Sequence, residues 1–175
     1  MGIVNNPLYG QESWDNAMPR VLHSDKATQN THTNSTDAAD LCSFTIPANT
    51  LAKGDVIRIK CRATVTDNNS SDTLTPIFKF GGTAIATGAA LDVADSDIIW
   101  VDAEISVTAI GASGTMTSHA SIKTNDGDTD VFASTALTSK NTIADAGLAC
   151  ALNVDWSGAH AENIVRLDSF VVELI

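Results

Sequence analysis

Bulk and positive charge are what this chain has least of. Only 5% of its 175 residues are aromatic and 18% are charged, although 43% are hydrophobic. Ala, Thr and Ser make up about a third of it, a mix closer to a repetitive β scaffold than to a helical bundle. No apolar run reaches the roughly 18 residues of a transmembrane helix, so no such span is expected. Ten Lys and Arg stand against 21 Asp and Glu, a net charge of −11, which argues against a nucleic-acid backbone as the main partner. Cys42, Cys61 and Cys150 form no CxxC pair and no ligand cluster. Each sits at an apolar position of a strand-like run, where a free Cys behaves as a small hydrophobe, so buried reduced thiols are expected.

Signatures of catalysis are missing too. His23, His32, His119 and His160 form no HxH or HxxxH pair. His119 falls on the polar side of its run, beside Ser118; with Asp102 the two complete a triad on paper, and nothing in the spacing brings them together. Gly111-Ala112-Ser113-Gly114 lacks the spacing of a nucleophile elbow, and Gly81-Gly82 joins two strand-like runs as a hairpin turn. The first residues, Met1 to Pro7, have no basic region followed by an apolar core, so no secretory signal is read. Gly2 meets the start of a myristoylation motif, but Asn6 stands where Ser or Thr is needed. A protein made and kept in a cytoplasm is expected, and no enzyme, cofactor or metal.

What is present begins with a change of composition near residue 38. Residues 1–37 show no periodicity, carry Pro7 and Pro19, and end in a polar stretch from Ala27 to Thr36 that reads as loop or linker. The same segment holds Leu8, Tyr9, Trp14, Met18, Val21 and Leu22, which a solvated tail rarely carries. Either it packs on its own domain, or it is an extended arm that orders on a neighbour. From about residue 38 to 175 the period is two. Ile57, Ile59, Cys61, Ala63 and Val65 alternate with Arg58, Lys60, Arg62 and Thr64; Val101, Ala103, Ile105 and Val107 alternate with Asp102, Glu104 and Ser106. Weaker alternation marks 116–122 and 150–156, and 41–46, 74–80, 83–87 and 164–175 are further candidates, the last broken near Ser169. Polar and glycine turns separate them. About eight antiparallel strands predict an all-β, jelly-roll-like sandwich, with at most a turn of helix at 89–96 and 140–148.

Two charge patterns invite function and have a plainer explanation. Asp126, Asp128 and Asp130 are spaced to converge on a hard cation, but no downstream bidentate Glu or correctly placed Gly follows, and a charged turn is the preferred reading. The cluster Asp92, Asp95 and Asp97 reads likewise. The basic stripe Arg58, Lys60, Arg62 and the acidic stripe Asp102, Glu104 are explained by cross-strand pairing if their strands are neighbours, and are docking patches if not. Trp100 is out of phase with the apolar series and should point outward, where one aromatic platform can stack on a sugar.

The run Phe44-Thr45-Ile46-Pro47-Ala48-Asn49-Thr50-Leu51-Ala52-Lys53-Gly54-Asp55-Val56-Ile57-Arg58-Ile59, with Phe80-Gly81-Gly82-Thr83-Ala84-Ile85-Ala86 and Ala109-Ile110-Gly111-Ala112-Ser113-Gly114-Thr115, resembles the β-sandwich virion proteins of tailed bacteriophages. The resemblance spans about residues 40–175 and implies a structural, non-catalytic protein. Among such proteins, a single sandwich with an apolar-studded arm suits a capsid decoration (cement) protein, since heptads and fibrous repeats are lacking. That reading implies the major capsid protein as partner, with Leu8, Tyr9, Trp14 and Met18 as contact residues. It also implies a homotrimer, a place on the capsid surface after synthesis in the host bacterial cytoplasm, and no cofactor, nucleic acid or membrane. The alternative is a head- or tail-fibre module that binds a receptor or glycan.

Overall fold

The computed structural model describes residues 19–25, 30–67, 71–111, 114–124, 131–137 (as backbone) and 147–175. They form eleven strands: β1 (Arg20–Asp25), β2 (Thr31–Thr33), β3 (Ala39–Ile46), β4 (Val56–Asp67), β5 (Leu74–Phe80), β6 (Thr83–Thr87), β7 (Ile98–Ala109), β8 (Thr115–Thr124), β9 (Val131–Leu137), β10 (Leu148–Trp156) and β11 (Ile164–Leu174). No helix occurs among the described residues, and residues 89–96 hold a bridge and a turn instead of a helical turn. The alternating runs all become strands, because one face of each can be buried while the other stays wet.

The strands make two antiparallel sheets. The larger runs β1-β11-β4-β7-β8-β9, with β2 also paired to β11; the smaller runs β3-β10-β5-β6. Counting β1 and β2 as one interrupted strand, and setting β8 and β9 aside, the remaining eight pair first with last, second with seventh, third with sixth and fourth with fifth. These are the pairs of one long hairpin, rolled so that they fall alternately in the two layers, which is the wrapping of a jelly roll. The β8–β9 hairpin widens the large sheet beyond β7. Gly81 and Gly82 make the β5–β6 turn with φ of 59° and 77°, the left-handed pair that a two-residue hairpin loop requires.

Between the layers lies a core of Ile, Val, Leu, Ala and Cys. Ile57, Ile59, Cys61, Val65, Val101, Ile105 and Val107 are all at most 2% exposed, as the alternation requires. Trp156, Phe78, Phe80 and Phe170 supply the bulk that the small residues lack. Phe44 is only half-buried, at the margin, where the His23 ring stacks on it at 4.7 Å and meets Phe170 at 5.3 Å.

The break near Ser169 is a bulge. The register between β4 and β11 slips between Leu167 and Ser169, so that Leu167 and Phe170 both point inward with two residues between them. The extra residue, Asp168, is thereby aimed at the outer face.

The segment before residue 38 differs from the reading that set it apart as an arm, because its described residues belong to the sandwich. β1 runs antiparallel to β11, pairing Arg20 with Leu174 and Asp25 with Phe170, and β2 pairs His32 with Val165. His32 is buried and Leu22 packs against the core. Short strands and one bulge between Val21 and His23 suffice, since β11 would otherwise offer an unpaired edge.

Candidate functional site

The outer face of the large sheet carries a broad polar constellation. Three neighbouring strands present alternate residues outward, and the register aligns them in rungs. Arg62 of β4 lies opposite Trp100 of β7, which lies opposite Lys123 of β8. Next come Lys60, Asp102 and Ser121, and then Arg58, Glu104 and His119. The two charge stripes of the sequence are therefore neighbours, as cross-strand pairing requires. Arg58 Nη2 is 3.7 Å from Glu104 Oε2, with both side chains about half open to water, a pair worth at most about 1 kcal/mol.

Trp100 does point outward and is 47% exposed. The Arg62 guanidinium lies 5.8 Å from its ring centroid, close enough for a cation–π contact. Arg62 also reaches Asp168, Nε to Oδ2 at 3.4 Å. The contact is an ion pair without hydrogen-bond alignment, since Nε has no hydrogen-bond partner. Asp168 accepts a hydrogen bond from Thr64 Oγ1 at 2.5 Å and a contact from Arg166 Nη2 at 3.3 Å. The β11 bulge thus supplies the carboxylate that anchors Arg62 beneath the indole.

Beside Trp100 the face dips into two adjoining recesses of about 380 and 310 Å³. Asp102, Ser121 and Lys123 line both; Glu104 and His119 line the first, Trp100 the second. Four of the chain's ten basic residues (Arg58, Lys60, Arg62, Lys123) stand on these three rungs, where Asp102, Glu104 and the neighbouring Asp168 offset most of their charge. Indole, carboxylates, hydroxyl, imidazole and ammonium together can hold a hydroxyl-rich surface by stacking and hydrogen bonds.

The same register dissolves the paper triad. Ser118 is 3% exposed and faces the core, on the opposite side of β8 from His119. A second polar cluster, which the sequence reading did not single out, joins the loop after β4 to the loop after β10. Buried Asp72 accepts from Asn163 Nδ2 at 2.7 Å and lies 3.6 Å from His160 Nε2, while Asn163 also donates to the Gly158 carbonyl at 2.8 Å. Ser157 and Thr73 tie the same loops together through two further hydrogen bonds. This cluster clamps two loops; its spacing across 91 residues left no local signal.

The proposed contact residues Leu8, Tyr9, Trp14 and Met18 lie outside the described residues, as do Asp126, Asp128 and Asp130. Among the described residues no group of three or more His, Cys, Asp or Glu side chains is arranged to hold a metal ion.

No family model matches this chain, and no curated protein does. Among solved structures it is similar to the EclA C-terminal domain, a sugar-binding protein, at 11% identity and a TM-score of 0.40, covering 95% of this chain and 89% of that one. It is similar to the lectin I-B4 of Griffonia simplicifolia in its metal-free form, at 8% identity, a TM-score of 0.40 and coverage of 90% and 92%. The CBM2 module of the evolved Dit of Lactobacillus casei BL23 phage J-1 is similar at 16% identity, with a TM-score of 0.31 and coverage of 75% and 67%. At that distance these likenesses say nothing of ligand or partner.

Proposed function

We propose that this chain is a non-catalytic structural module of a tailed-phage virion, and specifically a capsid decoration protein. The observation that carries the reading is the jelly-roll wrapping of the two sheets, found over the span whose strand-and-turn phrases resemble phage virion sandwiches. Jelly rolls serve both capsids and lectins, and fold does not choose between them; the phrases from Phe44 to Ile59 tip the choice. The mechanism is linkage: a protein that binds the assembled shell and not its free subunits stabilises the shell by its binding free energy. The major capsid protein is the partner, and Leu8, Tyr9, Trp14 and Met18, which precede β1, are contact residues. Copies associate as a homotrimer on the capsid surface, without cofactor, nucleic acid or membrane. Cosedimentation of the purified chain with empty shells tests this: binding to shells but not to free coat subunits is expected, and no binding to either refutes it.

A second reading has its own observation in the recess beside Trp100. There the face offers an open indole with acceptors and donors around it, which suits a receptor saccharide. Adsorption of the isolated chain to host cells, lost in Trp100→Ala, would favour this fibre-type role over decoration.

A further inference from the structure

The three cysteines, far apart in sequence, converge in the core. Cys42 lies on β3 of the small sheet and Cys61 on β4 of the large one, and their Sγ atoms are 3.6 Å apart across the gap between the layers. Both are buried, at 4% and 1% exposure. Cys150, on β10 beside β3, turns its thiol to the Phe44 carbonyl oxygen at 3.1 Å. Cys42 is thus held facing Cys61, while Cys150 is engaged with backbone. The thiols are free in this structure. Closing the first pair needs the sulfurs to approach by about 1.5 Å, to the 2.05 Å of a disulfide.

We propose that Cys42 and Cys61 are a latent inter-sheet disulfide, closed by a small-molecule disulfide oxidant as the chain folds in an oxidising medium, with Cys150 the thiol left over. The exchange balances. The Cys61 thiolate attacks one sulfur of glutathione disulfide and expels a glutathione thiolate; the Cys42 thiolate then attacks the Cys61 sulfur and expels the second. Two thiol protons leave, one S–S bond forms inside the protein, and the oxidant is reduced to two glutathiones. The product bolts the two layers together through a ring spanning 19 positions of sequence separation, and a reducing cytoplasm leaves it open. Burial works against late oxidation. The hydrogen bond with Cys42, and then burial, raise the Cys61 thiol well above its ordinary value. Protein that has folded reduced in a cytoplasm therefore reacts slowly, and the link closes when the chain folds, or transiently opens, in an oxidising medium.

The test is to denature the full chain, refold it in a glutathione redox buffer, then denature it again in iodoacetamide and map the peptides. The expected product is lighter by two hydrogens before alkylation, with Cys42 linked to Cys61 and Cys150 alkylated. Cys150→Ala should form the same link and Cys42→Ala none, with Cys61 then alkylated. The linked protein should also unfold at a higher urea midpoint without dithiothreitol than with it. A link that includes Cys150, a mixture of pairings, or three alkylated cysteines in a buffer as oxidising as a secretory compartment would overturn the proposal. Each of these outcomes is independent of whether the chain decorates capsids.

Discussion

Shortening Ile105 to alanine removes three carbons from the middle of the large sheet. Ile105 is fully buried on β7, opposite Ile57 on β4 and Ser118 on β8. At about 0.8 kcal/mol per buried methylene the lost transfer energy is about 2.4 kcal/mol, and a partly collapsed cavity brings the total to about 3–4 kcal/mol. Its sequence neighbour Glu104 points the other way and makes one open ion pair at 3.7 Å, so Glu104→Ala should cost less than about 1 kcal/mol. With a urea m-value of about 2 kcal/mol per molar, the first variant moves the midpoint down by about 1.5–2 M and the second by under about 0.5 M. Urea unfolding followed by tryptophan fluorescence measures both. Equal shifts, or a larger one for Glu104→Ala, would mean that the register is off by one residue, and the rungs of the outer face would vanish with it.

Other outcomes follow from the same geometry. In Gly158→Ala the new methyl would fall on the Asp72 carboxylate, which is held by Asn163; a loss of about 1–3 kcal/mol is expected in the same urea assay. Burial raises the Cys150 thiol from 9.0 to about 12, so between these values the folded state keeps a proton that the unfolded state has lost. Stability should therefore be insensitive to this group below pH 9 and fall by up to about 1.4 kcal/mol per pH unit above it, a slope that Cys150→Ala reduces in pH-dependent melting. Deleting residues 1–18 should leave a cooperative sandwich that no longer cosediments with shells. Deleting 1–33 also strips β1 and β2 from β11 and should lower the melting temperature. Trp100→Ala should cost about 1 kcal/mol of stability, through the lost cation–π contact with Arg62, and weaken any adsorption to host cells about tenfold, read by depletion from solution.

The large strands were legible because their two faces differ in chemistry: Ile57 to Val65 and Val101 to Val107 place every apolar residue on one side. β1, β2 and β9 were not, and for physical reasons. Arg20–Asp25 contains a bulge that breaks its period, Thr31–Thr33 is a three-residue strand with one inward side chain, and Val131–Leu137 is built largely from Ala, Ser and Thr, which contrast little. The site was half legible. The basic and acidic stripes and the outward Trp100 could be read from parity, but their union with Ser121 and Lys123 depends on the β7–β8 register. The Asp72–Asn163 clamp and the Cys42–Cys61 approach join distant strands and loops, so local spacing hid both.

The measurement that bears most directly on the virion assignment is the amount of this chain in separated heads and tails of purified particles, by quantitative mass spectrometry against the coat protein. Decoration predicts the chain in the head fraction at a fixed, high ratio to coat protein, lost when residues 1–18 are removed. A few copies confined to tails, or absence from particles altogether, would contradict it.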